Sequence, residues 1–210
     1  MKKTLAIIGS GHLGQQIAHY AIADNHYEKV VFFDDFSNET HSNGFEILGN
    51  SDAVEIEFEK KSFNEILIGI GYKHLAFRKQ LFERFKDKIP FGTIIHSTAW
   101  LDTTVVINEG CVIYPCCCID ANAVVGQNTV INISSTIAHD TEVGEHCFLS
   151  PRVALAGFIT IGEMCVIGIN STVIDNINIT SNSQIGGGSV VIKDIENSGL
   201  YVGNPTRFIR

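Results

Sequence analysis

The stretch that decides the fold is Val124-Val125-Gly126-Gln127-Asn128-Thr129-Val130-Ile131-Asn132-Ile133-Ser134-Ser135-Thr136-Ile137-Ala138-His139-Asp140-Thr141-Glu142-Val143-Gly144. Val125, Ile131, Ile137 and Val143 recur in it every sixth residue. The same step carries backwards through Ile119, Ile113, Ile107 and Leu101 to Ile95. It carries forwards through Leu149, Leu155, Ile161, Ile167, Val173, Ile179 and Ile185 to Val191, always on Ile, Leu or Val. Neither a helix of period 3.6 nor a strand of period two produces such a run. A fixed hexapeptide period means a solenoid, here a parallel β-helix. Three hexapeptides close one triangular coil, and each sends one large aliphatic side chain inward. The phase never slips, so no long loop is expected inside the repeat.

Small residues share the phase. Gly126, Ala138, Gly144, Ala156, Gly162, Gly168 and Gly186 follow inward residues directly. Ala123, Thr129, Ser135, Thr141, Ser171, Ser183 and Ser189 stand four places after them, and so do Cys111, Cys117, Cys147 and Cys165. Four of the six cysteines are therefore expected to be structural, at corners that need a small residue. No pair has the C-x2-C zinc spacing, and no metal is expected. Cys116 and Cys118 have no place in this pattern.

Ahead of the repeat the grammar differs. Leu5–Ile8, Val30–Phe33 and Ile66–Ile70 read as apolar strands, with a shorter one near Phe45–Leu48. Helical spacing covers Leu13–Ala23 and about His74–Phe85. Alternating strands and helices predict a small Rossmann-like parallel α/β domain. The expected divisions are 1–92 for this domain, 93–195 for the β-helix and 196–210 for a tail. Met1-Lys2-Lys3 and the apolar run after it superficially resemble a signal peptide, but the run is short and leads into a glycine turn, so it is read as a buried first strand. No window of the chain is long and apolar enough for a membrane span, and a cytoplasmic protein is expected. The formal charge of −8 over 210 residues argues against a nucleic-acid binder.

Gly9-Ser10-Gly11-His12-Leu13-Gly14 is a G-x-G-x-x-G turn after a strand and before a helix, with Asp34 twenty residues beyond it. Such a turn suits a phosphate at a helix N-terminus. The domain lacks a second mononucleotide half, which favours a nucleotide sugar over a dinucleotide. In the repeat, His139 lies two places after inward Ile137, so its side chain points out of the coil, and Asp140 follows it. An unperturbed histidine titrates near 6.5 and accepts a proton at neutral pH.

The glycine turn, Phe33-Asp34-Asp35, Ile95-His96, Ile133 to Gly144 and the closing Tyr201-Val202-Gly203-Asn204-Pro205-Thr206-Arg207 resemble bacterial sugar acyltransferases of the sialic-acid O-acetyltransferase family. That family includes N-acetyltransferases of nucleotide-linked 4-amino-4,6-dideoxy sugars. The resemblance implies a left-handed β-helix, acetyl-CoA as cosubstrate and a homotrimer with active sites at its interfaces. It implies His139 as general base with Asp140 beside it, a Gly157 N–H against the acetyl thioester, and Arg207, with Lys193, near the coenzyme phosphates. It places Asp34 or Asp35 on the nucleotide base, with Gly9, Ser10, Gly11 and His12 near the ligand and Tyr72 and Lys73 lining the same pocket. The His of the turn is offset by one from the family pattern. Several relatives have a second His nine residues after the first; this chain has Phe148 there, and His146 is out of phase. The expected reaction is N-acetylation of a UDP- or dTDP-linked amino sugar in surface-glycan precursor synthesis. The alternatives are O-acetylation of a sugar such as sialic acid, a zinc hydrolyase of the γ-carbonic anhydrase type, and a non-catalytic nucleotide-binding module.

Overall fold

The computed structural model describes residues 3–210, so Met1 and Lys2 of the signal-like start lie outside it. The chain divides into two compact units at Ile94/Ile95.

The first unit is a five-stranded sheet. Strand β1 (Thr4–Ile8) leads to helix α1 (His12–Ala23), β2 (Lys29–Phe33), the short β3 (His41–Ser42) and β4 (Phe45–Gly49). Helix α2 (Val54–Glu59), β5 (Glu65–Ile68) and α3 (Leu75–Phe85) follow. The sheet order is β3-β4-β2-β1-β5, with β1 an interior strand parallel to both neighbours. An interior parallel strand is covered on both faces, which is why Leu5, Ala6, Ile7 and Ile8 are apolar without alternation and all buried. On one face Ala6, Ile8, Val31 and Phe33 pack with Leu81, Phe82 and Phe85 of α3. The sequence reading passed over β3 and α2, which are too short for a clear period. It also passed over Arg78, buried in α3, whose guanidinium donates to the carbonyls of Ile68 and Ile70 at 2.8 and 2.9 Å.

The second unit is a left-handed β-helix with three flat faces of six, five and eight strands. Each repeat gives a strand of two or three residues, and strands eighteen residues apart pair in parallel: Thr136 with Ala154, Ala154 with Thr172, Thr172 with Val190. From Ile113 to Val191 every sixth-residue aliphatic is at most 3% exposed. Ile95, Leu101 and Ile107 stay partly exposed at the open first coil. Burying each such side chain contributes about 1.5–3 kcal/mol.

The glycines after inward residues answer to stacking. A Cβ on Gly126 would sit 2.6 Å from backbone atoms of Gly144 and Glu145, and one on Gly144 would sit 2.7 Å from those of Ile161 and Gly162. Several of the residues four places after an inward one are buried hydrogen-bond donors. Thr129, Thr141 and Ser171 each donate to a carbonyl fifteen residues ahead at 2.9 Å. Cys111, Cys117, Cys147 and Cys165 do the same through sulfur at 3.1–3.3 Å. These cysteines thus join a ladder otherwise built from Ser and Thr, which is more specific than the need for a small residue. Burial pushes the Cys117 thiol up to about 11, against backbone hydrogen bonds that lower it.

A third regularity was not read from the sequence. The third residue after each inward one, from Cys116 to Asn182, has φ between +54° and +61°. Asn122, Asn128, Asn170, Asn176 and Asn182 suit this left-handed conformation. Arg152, Phe158 and Met164 do not, and each costs about 1–2 kcal/mol of backbone energy.

The last residues return to the coil. Gly199–Val202 extends the eight-stranded face and pairs antiparallel with Arg207–Phe208. No helix among the described residues is long and apolar enough to cross a membrane.

Candidate active site

Two groups of the residues singled out above assemble, one in each unit. In the first unit they lie at the C-terminal edge of the parallel sheet, where ligands of open α/β sheets bind. The turn Gly9–Gly11 follows β1, Asp34-Asp35 follow β2, and Tyr72-Lys73, both exposed, lie in a 3-10 turn ahead of α3. Close approach explains two of the turn glycines. Gly9 has φ +101°, and a Cβ on Gly14 would run into the Gly9 carbonyl. Gly11 is different: its φ is −71° and nothing lies within 4 Å of where its Cβ would be. Neither strain nor crowding demands glycine there. His12 is exposed beside it, at the first position of α1.

Asp34 is spoken for within the chain. One of its oxygens accepts the Ser10 N–H at 2.7 Å and the Ser10 hydroxyl at 2.6 Å. The other accepts the N–H groups of Phe36 at 2.9 Å and Ser37 at 3.2 Å. Four donors fill the capacity of a carboxylate. Burial pushes the Asp34 carboxyl up, but these hydrogen bonds outweigh it and hold the group below its ordinary range. A depressed native value contributes stability that is present above the unfolded value, about 3.9, and is lost as pH falls through the native one. Asp34→Ala is therefore expected to lower the melting temperature at neutral pH. Its difference from wild type should close in acid, as thermal unfolding across pH would show. Asp35 is also engaged, accepting the Ser51 N–H at 2.7 Å and the Ser51 hydroxyl at 3.1 Å.

A pocket of about 360 Å³ opens between Lys3, His26, Tyr27 and Glu65, at the opposite edge of the sheet. Its polar groups bind one another: Glu65 takes Lys3 and the Tyr27 hydroxyl, and His26 meets Asp24. Burial first, then Glu65, pushes the Tyr27 phenol well above its ordinary value.

The second group stands on one corner of the β-helix. The strand register puts His139, Gly157, Asp175 and Lys193 at the same place on successive coils. His139 is about half exposed, with its Nδ1 2.9 Å from Asp140 Oδ2. The other Asp140 oxygen accepts the Asn122 amide at 3.0 Å. Hydrogen bonds from His139 and then Asn122 hold the Asp140 carboxyl below its ordinary range. An ionised carboxylate only accepts, so Nδ1 is the donor in this pair. In the neutral ring Nε2 then carries the lone pair. The imidazole lies over Gly157, where a Cβ would be 2.8 Å from Cε1 and 3.0 Å from Nε2. The Phe158 ring stands edge-on to it, with centroids 5.1 Å apart and planes at 85°.

Lys193 is exposed three coils beyond His139, about 14 Å along the axis at the usual strand spacing. Ile174 and Ile192, both exposed, flank that interval. Arg207 is exposed just after Thr206, whose N–H donates to Val190 of the last coil at 2.9 Å. Phe148 and His146 are buried, the latter with Nδ1 3.0 Å from the Asn128 amide, so neither presents a second imidazole on the exposed corner with His139. His96 Nδ1 lies 2.9 Å from the Thr98 hydroxyl in a local turn.

Residues 4–85 match the model of the PglD N-terminal domain. Comparison with curated proteins by sequence gives no match. Among solved structures, the chain is similar to the acetyltransferase domain of PglB from Neisseria gonorrhoeae, at 26% identity over 99% of this chain and 100% of that one, with TM-score 0.91. The same domain in complex with acetyl coenzyme A matches at 25% identity over all of both chains, TM-score 0.90. PerB from Caulobacter crescentus, in complex with CoA and GDP-perosamine, matches at 24% identity over 99% and 97%, TM-score 0.89, a likeness of fold. Residues 4–85 thus match the PglD N-terminal domain, and the chain as a whole is similar in fold to the acetyltransferase domain of PglB.

Proposed function

We propose that this chain is an acetyl-CoA-dependent N-acetyltransferase acting on the amino group of a nucleotide-linked 4-amino-4,6-dideoxy sugar, with His139 as general base. The observation that carries the reading is the His139–Asp140 pair. Asp140 accepts the Nδ1–H hydrogen bond and so leaves the lone pair on Nε2, beside Gly157. The amine nitrogen attacks the thioester carbonyl carbon, forming the C–N bond. The C–S bond breaks, and Nε2 takes the nitrogen's proton and returns it to the departing thiolate. No acyl-enzyme is needed, because Cys147 is buried and its thiol is pushed up by burial first and then by Cys165.

Gly157 accounts for the developing oxyanion in this reading: its N–H has no hydrogen-bond acceptor among the described residues. The apolar run of Ile174 and Ile192 suits the pantetheine arm, with Lys193 and Arg207 for phosphates. Gly11, bare without a structural reason, lets a pyrophosphate approach the start of α1. Asp34 then shapes the turn from within, and the base is met by Asp35, His12 or the Tyr72-Lys73 turn. Exposed Trp100, Val106 and Ile174 support burial of the β-helix in a homotrimer. A relative binds GDP-perosamine, so GDP joins UDP and dTDP as a candidate carrier.

The test is the product. The acetyl group should be found by NMR as an amide on the sugar nitrogen of one nucleotide-linked acceptor. A base-labile ester on a free sugar would instead establish O-acetylation and overturn the assignment.

A further inference from the structure

Phe158 occupies a costly position. It is an aromatic residue at φ +59°, and it is 55% exposed. Five other corners use Asn, which takes this conformation readily. Within the single chain a ring exposed to this degree contributes little packing to set against the backbone strain, and strain of this kind concentrates at functional sites. The ring's partner is His139, met edge-on on the preceding coil. The two residues are also tied through the main chain, the Phe158 N–H donating to the His139 carbonyl at 3.2 Å. Three contacts therefore define the imidazole: Asp140 at Nδ1, the bare Cα of Gly157 beneath the ring, and Phe158 at its side. Without Phe158, two remain, and the ring is free to swing away from the corner.

We propose that Phe158 is a positioning residue for His139, kept at a strained corner because it holds the imidazole with Nε2 toward the acceptor. This rests on the reading of His139 as the base. The closing experiment compares wild type, Phe158→Asn, Phe158→Tyr and His139→Ala by steady-state kinetics and thermal unfolding. Asn relieves the corner, so Phe158→Asn should raise the melting temperature by about 2–4 °C. The same variant should lose about ten- to a hundredfold in kcat, the scale of a displaced catalytic group, with both KM values unchanged. Phe158→Tyr keeps the ring and should restore most of kcat. A more stable, slower enzyme cannot be explained by a folding defect. Full kcat in Phe158→Asn, or a raised acceptor KM with kcat intact, would overturn the proposal. If His139→Ala is dead while Phe158→Asn is unimpaired, the base reading stands and only the positioning role falls. If His139→Ala is fully active, both fall.

Discussion

Replacing His139 by alanine is expected to lower kcat by about a hundred- to ten-thousandfold, the usual contribution of a positioned general base. The protein itself should hardly notice. The ring is half exposed, and its polar contact is with a neighbour on the same corner. Surface changes of this kind move stability within about 0.5 kcal/mol. The KM for acetyl-CoA should also stay close to wild type, because proton transfer belongs to the transition state rather than to coenzyme binding. Thiol release under saturating acetyl-CoA reads this directly. Activity within a few-fold of wild type would remove His139 from the chemistry, and Phe158 with it.

The largest effect on stability is expected from Leu149→Ala. Leu149 is fully buried in the middle of the inward ladder, between Ile131 and Ile167 on adjoining coils. Truncating it leaves a cavity that paired strands above and below cannot collapse into, at about 2–5 kcal/mol. That is a large share of a typical total of about 5–15 kcal/mol. Leu101→Ala, at the partly exposed first coil, should cost distinctly less. In a solenoid each coil touches only its neighbours, so position along the stack matters as much as residue type. Urea unfolding of the two variants separates them. Equal losses would contradict the picture of a closed middle and an open end.

The β-helix was legible because its signal repeats. Seventeen aliphatic residues in one phase have a single physical explanation, and the pattern would stay legible without any one of them. The Ser, Thr and Cys ladder was visible as small residues, but its hydrogen bonds were not, since each joins groups fifteen residues apart. The left-handed corners were missed because coil closure sets that backbone angle, and side chains as unlike as Arg152, Phe158 and Met164 comply. Asn in the third place after an inward residue, in five repeats, was the available sign.

The candidate site divides in the same way. His139 was placed outside the coil by counting from Ile137. Its floor and its wall come from Gly157 and Phe158, eighteen and nineteen residues on, and only coil stacking brings them to it. The glycine turn was legible as a local pattern. That Asp34 spends its oxygens on Ser10, Phe36 and Ser37 was not, because spacing says where a carboxylate stands and not what it already holds.

The measurement that reaches the central claim most directly is thiol release from acetyl-CoA by the wild-type chain. The acceptors are UDP-, dTDP- and GDP-linked 4-amino-4,6-dideoxy sugars, with free sialic acid beside them. Rapid release with one nucleotide-linked amino sugar and none with sialic acid is expected. Release with sialic acid alone, or with none of the four, would contradict that claim.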